Sequence, residues 1–245
     1  MVLRLPEPML ARPGLIPRGR GWTFEPKLDG FRCLVCTHAG TFRARSRRGW
    51  NMTPLLPELA DALPPDVQLD GELVALDTDG RPDFHRLSAR MLHGRPGNAV
   101  TLFVFDVLAV EGLPVTSQPY RERRALLEQL DLEGPLVRLV ATFEDGEALF
   151  AAVCERGLED VVAKREREPY RPGERQWVKT KNRATARFAE ERDGVGRRTA
   201  ARGGQPKVPF ALYTTGGPVR NWTHDESCGH RSGCCCGGDR GWDRL

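Results

Sequence analysis

The sequence predicts an α+β fold. Short apolar runs typical of strands, amphipathic segments typical of helices, and an order in which the two do not alternate strictly all indicate this class. Hydrophobic residues make up 40% of the 245 residues and charged residues 29%, which is typical of a globular chain and excludes wholesale disorder. The length suits one large domain or two small ones.

The sequence predicts neither a membrane span nor a signal peptide. Its longest apolar run, residues 99–110, is shorter than the roughly 20 residues that a membrane helix needs and contains Asp106. Pro and Glu stand near the N-terminus where a signal peptide has its apolar core. We therefore expect a cytoplasmic protein without a membrane partner, and we expect a monomer.

Five apolar runs predict strands, and residues that favour turns separate them. The runs are 32–37, 67–76, 100–108, 160–164 and 177–181. The first run contains Cys33 and Cys36 in a C-x-x-C pattern. Because residues three apart on a strand point to opposite faces, we predict two core residues there rather than a metal or redox site.

Four segments predict helices from the spacing of their apolar residues. They are 54–63, 81–91, 120–130 and 144–156. Thr53 is the predicted N-cap of the first helix, and Gly157 ends the last. After Phe188 the apolar periodicity fades, and residues 189–245 hold 11 of the 26 Gly and four of the seven Cys. We therefore predict a folded domain over residues 1–188 and a poorly ordered tail over residues 189–245.

The strongest local signal lies at residues 22–32, where Lys27, Asp29, Gly30 and Arg32 occur within six residues. This spacing lets the lysine and the arginine converge on an anion, and the glycine allows a close backbone approach. An ordinary charged turn is the structural alternative. Only five of the 37 basic residues are lysines, and a lysine, unlike an arginine, can lose its proton and act as a nucleophile.

Residues 22–32 resemble the first motif of the covalent nucleotidyltransferases, which comprise the ATP-dependent DNA ligases and their RNA-ligase and capping-enzyme relatives. The likeness is greatest to bacterial ligases of the end-joining type. Five further segments resemble the family's other motifs in the same order, and the resemblance covers residues 5–188. These segments are Ser46-Arg-Arg-Gly49, Leu69-Asp-Gly-Glu-Leu-Val74, Phe103-Val-Phe-Asp106, Glu159-Asp-Val-Val-Ala-Lys164 and Trp177-Val-Lys-Thr-Lys181.

The resemblance implies an ATP-grasp-like nucleotidyltransferase domain with antiparallel sheets flanked by helices. Ligases of this family normally continue into an OB-fold domain that clamps DNA. The residues after Phe188 lack five strand-like runs, so we expect no C-terminal OB fold.

The resemblance also implies residue roles. Lys27 would attack the α-phosphate of ATP, carry AMP as a phosphoramide and release pyrophosphate, with Glu25 next to the adenine and Phe105 stacked on it. Arg32 and Arg47 would bind the sugar and phosphate, Lys179 and Lys181 would contact the α-phosphate, and Arg175 would contact the phosphates. Asp29 would orient Lys27 or a metal-bound water. Glu72 and Glu159 would bind the ribose and a Mg²⁺ or Mn²⁺ ion. Taken singly, each residue has a structural alternative, such as a core aromatic for Phe105 or a solvent-facing strand position for Glu72.

Lys27 needs a chemical environment that helps it lose its proton. A lysine of ordinary pKa is protonated and inert at neutral pH. We expect cations at Lys164, Lys179 and Lys181, together with the metal, to lower the pKa of Lys27. The same cations would offset phosphate charge during transfer.

Two sequence features bear on substrate binding. Asp160 stands where the family usually has Gly, so a second carboxylate adjoins Glu159 and either weakens phosphate binding or points away from it. Residues 164–188 carry nine basic and three acidic side chains, which predicts a path for a DNA backbone.

The sequence therefore predicts an ATP-dependent DNA ligase that joins 5′-phosphate and 3′-hydroxyl ends of nicked or broken duplex DNA in repair or recombination. Without an OB fold, sealing would depend on exposed ends or on a DNA end-binding repair partner. Two alternatives stay open. One is an RNA ligase or capping-type nucleotidyltransferase, and the other is a catalytically weak nucleic-acid-binding module that never forms a covalent AMP.

Overall fold

The computed structural model describes residues 4–78, 80–94 and 97–182. The predicted tail, the boundary at residue 188 and the expected lack of an OB fold lie outside these ranges. The described strands are β1 Leu10–Pro13, β2 Trp22–Lys27, β3 Phe31–His38, β4 Thr41–Ser46, β5 Gln68–Ala75, β6 Val100–Val110, β7 Leu113–Pro114, β8 Val137–Leu139, β9 Asp160–Arg165 and β10 Arg175–Lys181. The described helices are α1 Phe84–His93, α2 Tyr120–Gln129 and α3 Gly146–Glu155.

The strands form two sheets. The first sheet has the order β1-β10-β9-β2, and the second has the order β4-β3-β5-β6-β7 with β8 beside β6. Most neighbouring strands are antiparallel, while β1–β10 and β6–β8 are parallel. The predicted α+β class, with largely antiparallel sheets flanked by helices, is confirmed.

The first sheet separates an apolar face from a charged face. Phe24, Ala163 and Val178 lie on one face and pack against the buried side of α3. The alternate residues Glu25 and Lys27 therefore lie on the opposite face, because successive side chains of a strand point in opposite directions.

The second sheet is buried on both faces. Its outer face, which includes Leu69 and Leu102, packs against Leu87 of α1 and Leu127 of α2. Its inner face packs against Trp177 of the first sheet. Cys33 belongs to the outer cluster and Cys36 to the inner one, and both are free thiols. The prediction that they are core residues on opposite faces is confirmed.

Three of the four predicted helices are present, and their starts follow capping chemistry. The side chain of Asp83 accepts a hydrogen bond from the backbone at the start of α1, and Asp145 does the same for α3. The helix predicted over 54–63 is wrong. That segment forms two single 3₁₀ turns, at Thr53–Leu55 and Pro57–Leu59.

Proline explains the failed helix, because its ring removes a backbone donor and clashes with the preceding turn. The sequence has Pro54 and Pro57 only three residues apart. Thr53 is also not an N-cap, since its hydroxyl accepts a hydrogen bond from the backbone N–H of Ala44 at 2.9 Å and so joins this segment to β4.

Gly30 lies very close to the backbone of β5, which is the close approach that a glycine allows. A Cβ added to Gly30 would lie 2.2 Å from the carbonyl oxygen of Leu73. Gly30→Ala is therefore expected to lower the free energy of unfolding by about 1–3 kcal/mol, as other overpacked sites do. Urea unfolding measures the loss. Gly134→Ala is the control, because its added Cβ would meet nothing closer than 3.9 Å, and equal losses in both variants would contradict the prediction.

Within the described ranges, no helix is both long enough and apolar enough to cross a bilayer.

Candidate active site

A cleft of about 700 Å³ lies between the inner faces of the two sheets. Nine of the predicted site residues line it: Glu25, Lys27, Arg32, Arg47, Glu72, Phe105, Lys164, Arg175 and Lys179. Asp29, Glu159 and Lys181 are exposed and do not line the cleft. The roles given to these residues stay predictions, but most of the set converges on one place.

Strand register explains this convergence. Lys27 of β2 lies opposite Asp160 of β9, and Asp160 lies opposite Lys181 of β10. Two residues along, Glu25 lies opposite Val162, which lies opposite Lys179. Directly opposed residues share a face of an antiparallel sheet, so residues that are more than 130 positions apart in sequence stand side by side above the same surface.

Lys27 is held by carboxylates in this structure. Its ammonium contacts the carboxylate of Glu159 and donates a weak hydrogen bond to the carbonyl of Leu28 at 3.5 Å. Burial on its own would lower the pKa of Lys27, but attraction to Glu159, and then to Glu72 and Asp160, outweighs it and raises the pKa above its ordinary value. The carboxylates therefore contradict the predicted lowering of this pKa by Lys164, Lys179 and Lys181, and the contribution of a bound metal stays a prediction.

Lys164 forms its ion pair with a carboxylate other than the one that contacts Lys27. Its ammonium lies 2.8 Å from Oε1 of Glu25 and donates a hydrogen bond to the carbonyl of Phe105, also at 2.8 Å. The side chain is 1% exposed, and this burial lowers the pKa of Lys164 despite the attraction of Glu25. The ring centroids of Phe105, Trp177 and Tyr120 lie 4.6, 4.5 and 4.9 Å from the ammonium.

Arg32 is fixed in place by Asp70. Two of its nitrogens donate to the two oxygens of that buried carboxylate, at 2.5 and 2.6 Å, and one also donates to the carbonyl of Met9. Tyr170 donates to the same carboxylate at 2.6 Å. The guanidinium carbon lies 4.5 Å from the ring centroid of Phe105. Arg32 therefore enters the cleft as a rigid cation, which suits recognition of an anion with little loss of side-chain entropy.

An excess of carboxylates surrounds Lys27. Burial raises the pKa of Glu72 to about 7, in spite of the attraction of Arg32 and Lys27. Loss of hydration and repulsion from Glu159 also raise the pKa values of the partly shielded Asp29 and of the buried Asp160. Binding of a cation at this end of the cleft would therefore relieve repulsion between the carboxylates.

This donor set fits a Mg²⁺ or Mn²⁺ ion that is held partly by substrate. Within the described ranges, no group of three His, Cys, Asp or Glu side chains is arranged to hold a metal by itself. Magnesium in nucleotide sites is usually held by one or two carboxylates together with phosphate oxygens and water. Glu72, on the wall of the cleft, and Glu159, beside Lys27, are the predicted carboxylates and meet that requirement.

Asp160 is buried rather than turned away from the site. It is 3% exposed, and Lys27, Lys179 and Lys181 all lie near enough to lower its pKa against the effects of burial and Glu159. Its carboxylate therefore offsets positive charge where the α-phosphate contacts are predicted.

Arginine and apolar side chains combine at the mouth of the cleft. Arg47, Arg48 and Trp50, on and just after the turn that follows β4, line the cleft together with Leu92 of α1. Trp50 is 40% exposed and Leu92 is 58% exposed. Such a surface suits a nucleic acid, because arginines attract phosphates while aromatic and apolar groups contact sugars and bases.

Sequence reasoning missed several residues that shape the site. Asp70 lies in the third motif, two residues before Glu72, and that position is the only sequence signal for it. The contacts of Tyr120 with Glu25 and of Tyr170 with Asp70 join residues 95 and 100 positions apart, and no local pattern indicates them.

Asp106, the carboxylate of the fourth motif, has a structural role. It receives two hydrogen bonds from Arg123 of α2, at 2.8 and 2.9 Å, and both side chains are at most 1% exposed. Arg123 also donates to the carbonyls of Gln118 and Glu168. The pair thus fixes α2 against β6 and against the segment between β9 and β10.

Residues 8–181 match the family model of the ATP dependent DNA ligase domain. The chain is 38% identical over 183 residues to the multifunctional non-homologous end joining DNA repair protein LigD of Mycobacterium tuberculosis, which covers 71% of this chain and 24% of the relative. It is 40% identical over 174 residues to the LigD of Pseudomonas aeruginosa, which covers 67% of this chain and 20% of the relative. The chain thus spans about a quarter or less of the length of these curated relatives.

A similar solved structure is described as mycobacterial DNA ligase D complexed with ATP and MES. It is 35% identical with a TM-score of 0.61, over 72% of this chain and 60% of that one. A Chlorella virus DNA ligase-adenylate, 16% identical with a TM-score of 0.53, shares the fold over 71% of this chain and 68% of that one.

Proposed function

Because the chain belongs to the ATP-dependent DNA ligase family, as its six motifs suggested, we propose that it joins DNA ends through an AMP carried covalently on Lys27. The acceptors are a 5′-phosphate and a 3′-hydroxyl in nicked or broken duplex DNA. One observation carries the proposal: Lys27 lies in a nucleotide-sized cleft that is also lined by several cations and aromatic rings, among them Arg32, Arg47, Arg175, Lys179 and Phe105.

In the first step, the unprotonated amine of Lys27 attacks the α-phosphorus of ATP. A phosphorus–nitrogen bond forms, the bond to the bridging oxygen breaks, and pyrophosphate leaves. Lys179 lies on the same face of the first sheet as Lys27, two strands across and two residues along, where it can offset charge on the phosphate. A bound Mg²⁺ or Mn²⁺ ion would neutralise further phosphate charge.

In the later steps, AMP passes from Lys27 to the 5′-phosphate of DNA, and the 3′-hydroxyl then displaces AMP to form the phosphodiester. Arg47, Arg48 and Trp50 at the mouth of the cleft support DNA binding there. Relatives with end-joining names support a role in repair and a DNA end-binding partner. A cytoplasmic location fits a reaction that consumes ATP and acts on DNA.

Transfer of label from ATP tests the proposal. The purified chain is incubated with ATP labelled at the α-phosphate and with Mg²⁺ or Mn²⁺, denatured, and digested so that mass spectrometry locates the adduct. We expect AMP on Lys27, followed by transfer to a nicked duplex with a 5′-phosphate. A duplex with a 5′-hydroxyl is the control and should accept no AMP. Label on another residue, or none on a chain shown to be free of AMP at the start, would overturn the proposal.

Asp160→Asn is expected to lower the KM for ATP in the adenylation step by about fivefold. The change removes one negative charge near Lys27, Lys179 and Lys181 at nearly constant volume, and a fivefold change corresponds to about 1 kcal/mol, the energy of one charge pair about 4 Å apart in water. Initial rates of AMP attachment at varied ATP concentration give the KM. Asp61→Asn, at an exposed position away from the cleft, is the matched control and should leave the KM unchanged. A KM that rises in Asp160→Asn would contradict the prediction.

A further inference from the structure

Glu25 has an asymmetric hydrogen-bond environment. Tyr120 donates to Oε1 at 2.6 Å, and the ammonium of Lys164 lies 2.8 Å from the same oxygen. The other oxygen, Oε2, has no hydrogen-bond partner among the described residues. Glu25 is 3% exposed and lies on the wall of the cleft. One oxygen of this buried carboxylate is therefore used to hold the side chain, and the other is left for a ligand.

Tyr120 is built into the fold as a rigid donor. It is 2% exposed and is the first residue of α2, and its backbone N–H donates to the carbonyl of Glu168 at 2.9 Å. The buried Asp106–Arg123 pair fixes the same turn of the helix, and the Arg123 guanidinium lies 5.7 Å from the Tyr120 ring. Burial and the neighbouring Glu25 raise the pKa of Tyr120 well above its ordinary value, so the hydroxyl keeps its proton.

A carboxylate oxygen distinguishes the two purine bases. An ionised carboxylate only accepts hydrogen bonds. Adenine carries an amine donor at its 6-position, where guanine carries a carbonyl acceptor. The free oxygen of Glu25 would therefore attract the first base and repel the second, provided that the carboxylate cannot rotate.

We propose that Tyr120 is a positioning residue for nucleobase selection: its hydroxyl holds Oε1 of Glu25 so that Oε2 meets the 6-amine of adenine. This inference rests on the proposed adenylation activity and adds to it the group that fixes base specificity. Lys164 alone does not provide the same constraint, because its ammonium is a compact charge that is shared between Glu25 and the carbonyl of Phe105 and does not fix the plane of the carboxylate. The phenol adds a second donor on a stiff ring.

Tyr120→Phe tests this role, since it removes one oxygen and keeps the ring. Initial rates of AMP or purine-nucleotide attachment are measured with ATP, with purine riboside triphosphate, which lacks the 6-amine, and with GTP. The native chain should prefer ATP over both. In Tyr120→Phe, the ratio of kcat/KM for ATP to that for purine riboside triphosphate should fall about tenfold, the size expected for one hydrogen bond to a charged group.

Tyr170→Phe is the matched control. Tyr170 is 3% exposed and its hydroxyl also donates to a buried carboxylate, Asp70, which holds Arg32 rather than Glu25. Its loss should change the rates with ATP and with purine riboside triphosphate by the same factor and leave their ratio unchanged. A general loosening of the core would instead alter the ratio in both variants.

The outcomes separate the two proposals. If the native chain attaches no nucleotide from ATP, the proposed ligase function fails. If the native chain is active and Tyr120→Phe keeps the full preference for ATP over purine riboside triphosphate, the positioning role of Tyr120 is overturned. Thermal unfolding of both variants establishes that each has folded before the rates are compared.

Discussion

Lys27→Arg is expected to reduce covalent AMP attachment by about a thousandfold at neutral pH. Arginine keeps the positive charge beside Glu159, so the arrangement of charges around the site is preserved. The reference pKa of a guanidinium is about three units above that of a lysine amine, and its neutral fraction is roughly a thousandfold smaller. Attachment of labelled AMP, followed with time at saturating ATP, measures the loss.

The chain offers a matched control for this change. Lys207 lies outside the described residues and outside the six motifs. Lys207→Arg should therefore retain full labelling. Equal unfolding temperatures of the two variants and the native chain would show that the fold is intact. Substantial labelling of Lys27→Arg would mean that a different side chain is the nucleophile.

Asp106→Ala is expected to lower the free energy of unfolding by about 3–5 kcal/mol, because it leaves the buried charge of Arg123 without a partner. Arg123 would keep only its bonds to the carbonyls of Gln118 and Glu168. Urea unfolding followed by circular dichroism measures the loss.

Two further variants complete this test. Arg18→Ala removes an exposed ion pair with Glu147, whose side chains are 88% and 65% exposed, and should change stability little. In the double variant Asp106→Leu with Arg123→Met, both charges are replaced by apolar groups, and much of the stability should return. A loss below about 1 kcal/mol in Asp106→Ala would contradict the view that this pair fixes α2.

Strands β6 and β2 show which strands a local hydrophobic pattern can predict and which it cannot. The apolar run at 100–108 predicted β6 because a strand buried on both faces needs apolar residues at every position. The same reasoning did not identify β2, because Glu25 and Lys27 interrupt its apolar residues. One face of β2 lines the cleft, so the residues on that face are determined by the chemistry of the site rather than by burial in the core.

The behaviour of charged residues departs furthest from sequence expectations. Arg123 and Arg124 are charged residues of a helix predicted from the spacing of its apolar residues, yet both are buried. Lys164 was expected to act on Lys27 and instead pairs with Glu25. In each case the partner comes from another element, and helical or strand spacing carries no information about it.

By itself, the sequence determined the fold class, five of the ten described strands, three helices and nine residues that line the cleft, because burial imposes its periodicity on each element separately and the motifs could be recognised one by one. Only the tertiary structure decided which carboxylate faces which cation. Lys27 meets Glu159, Arg32 meets Asp70, and Glu25 meets Lys164 and Tyr120. Electrostatic interactions depend on distance and burial, and both are set by the register and packing of strands that are far apart in the chain.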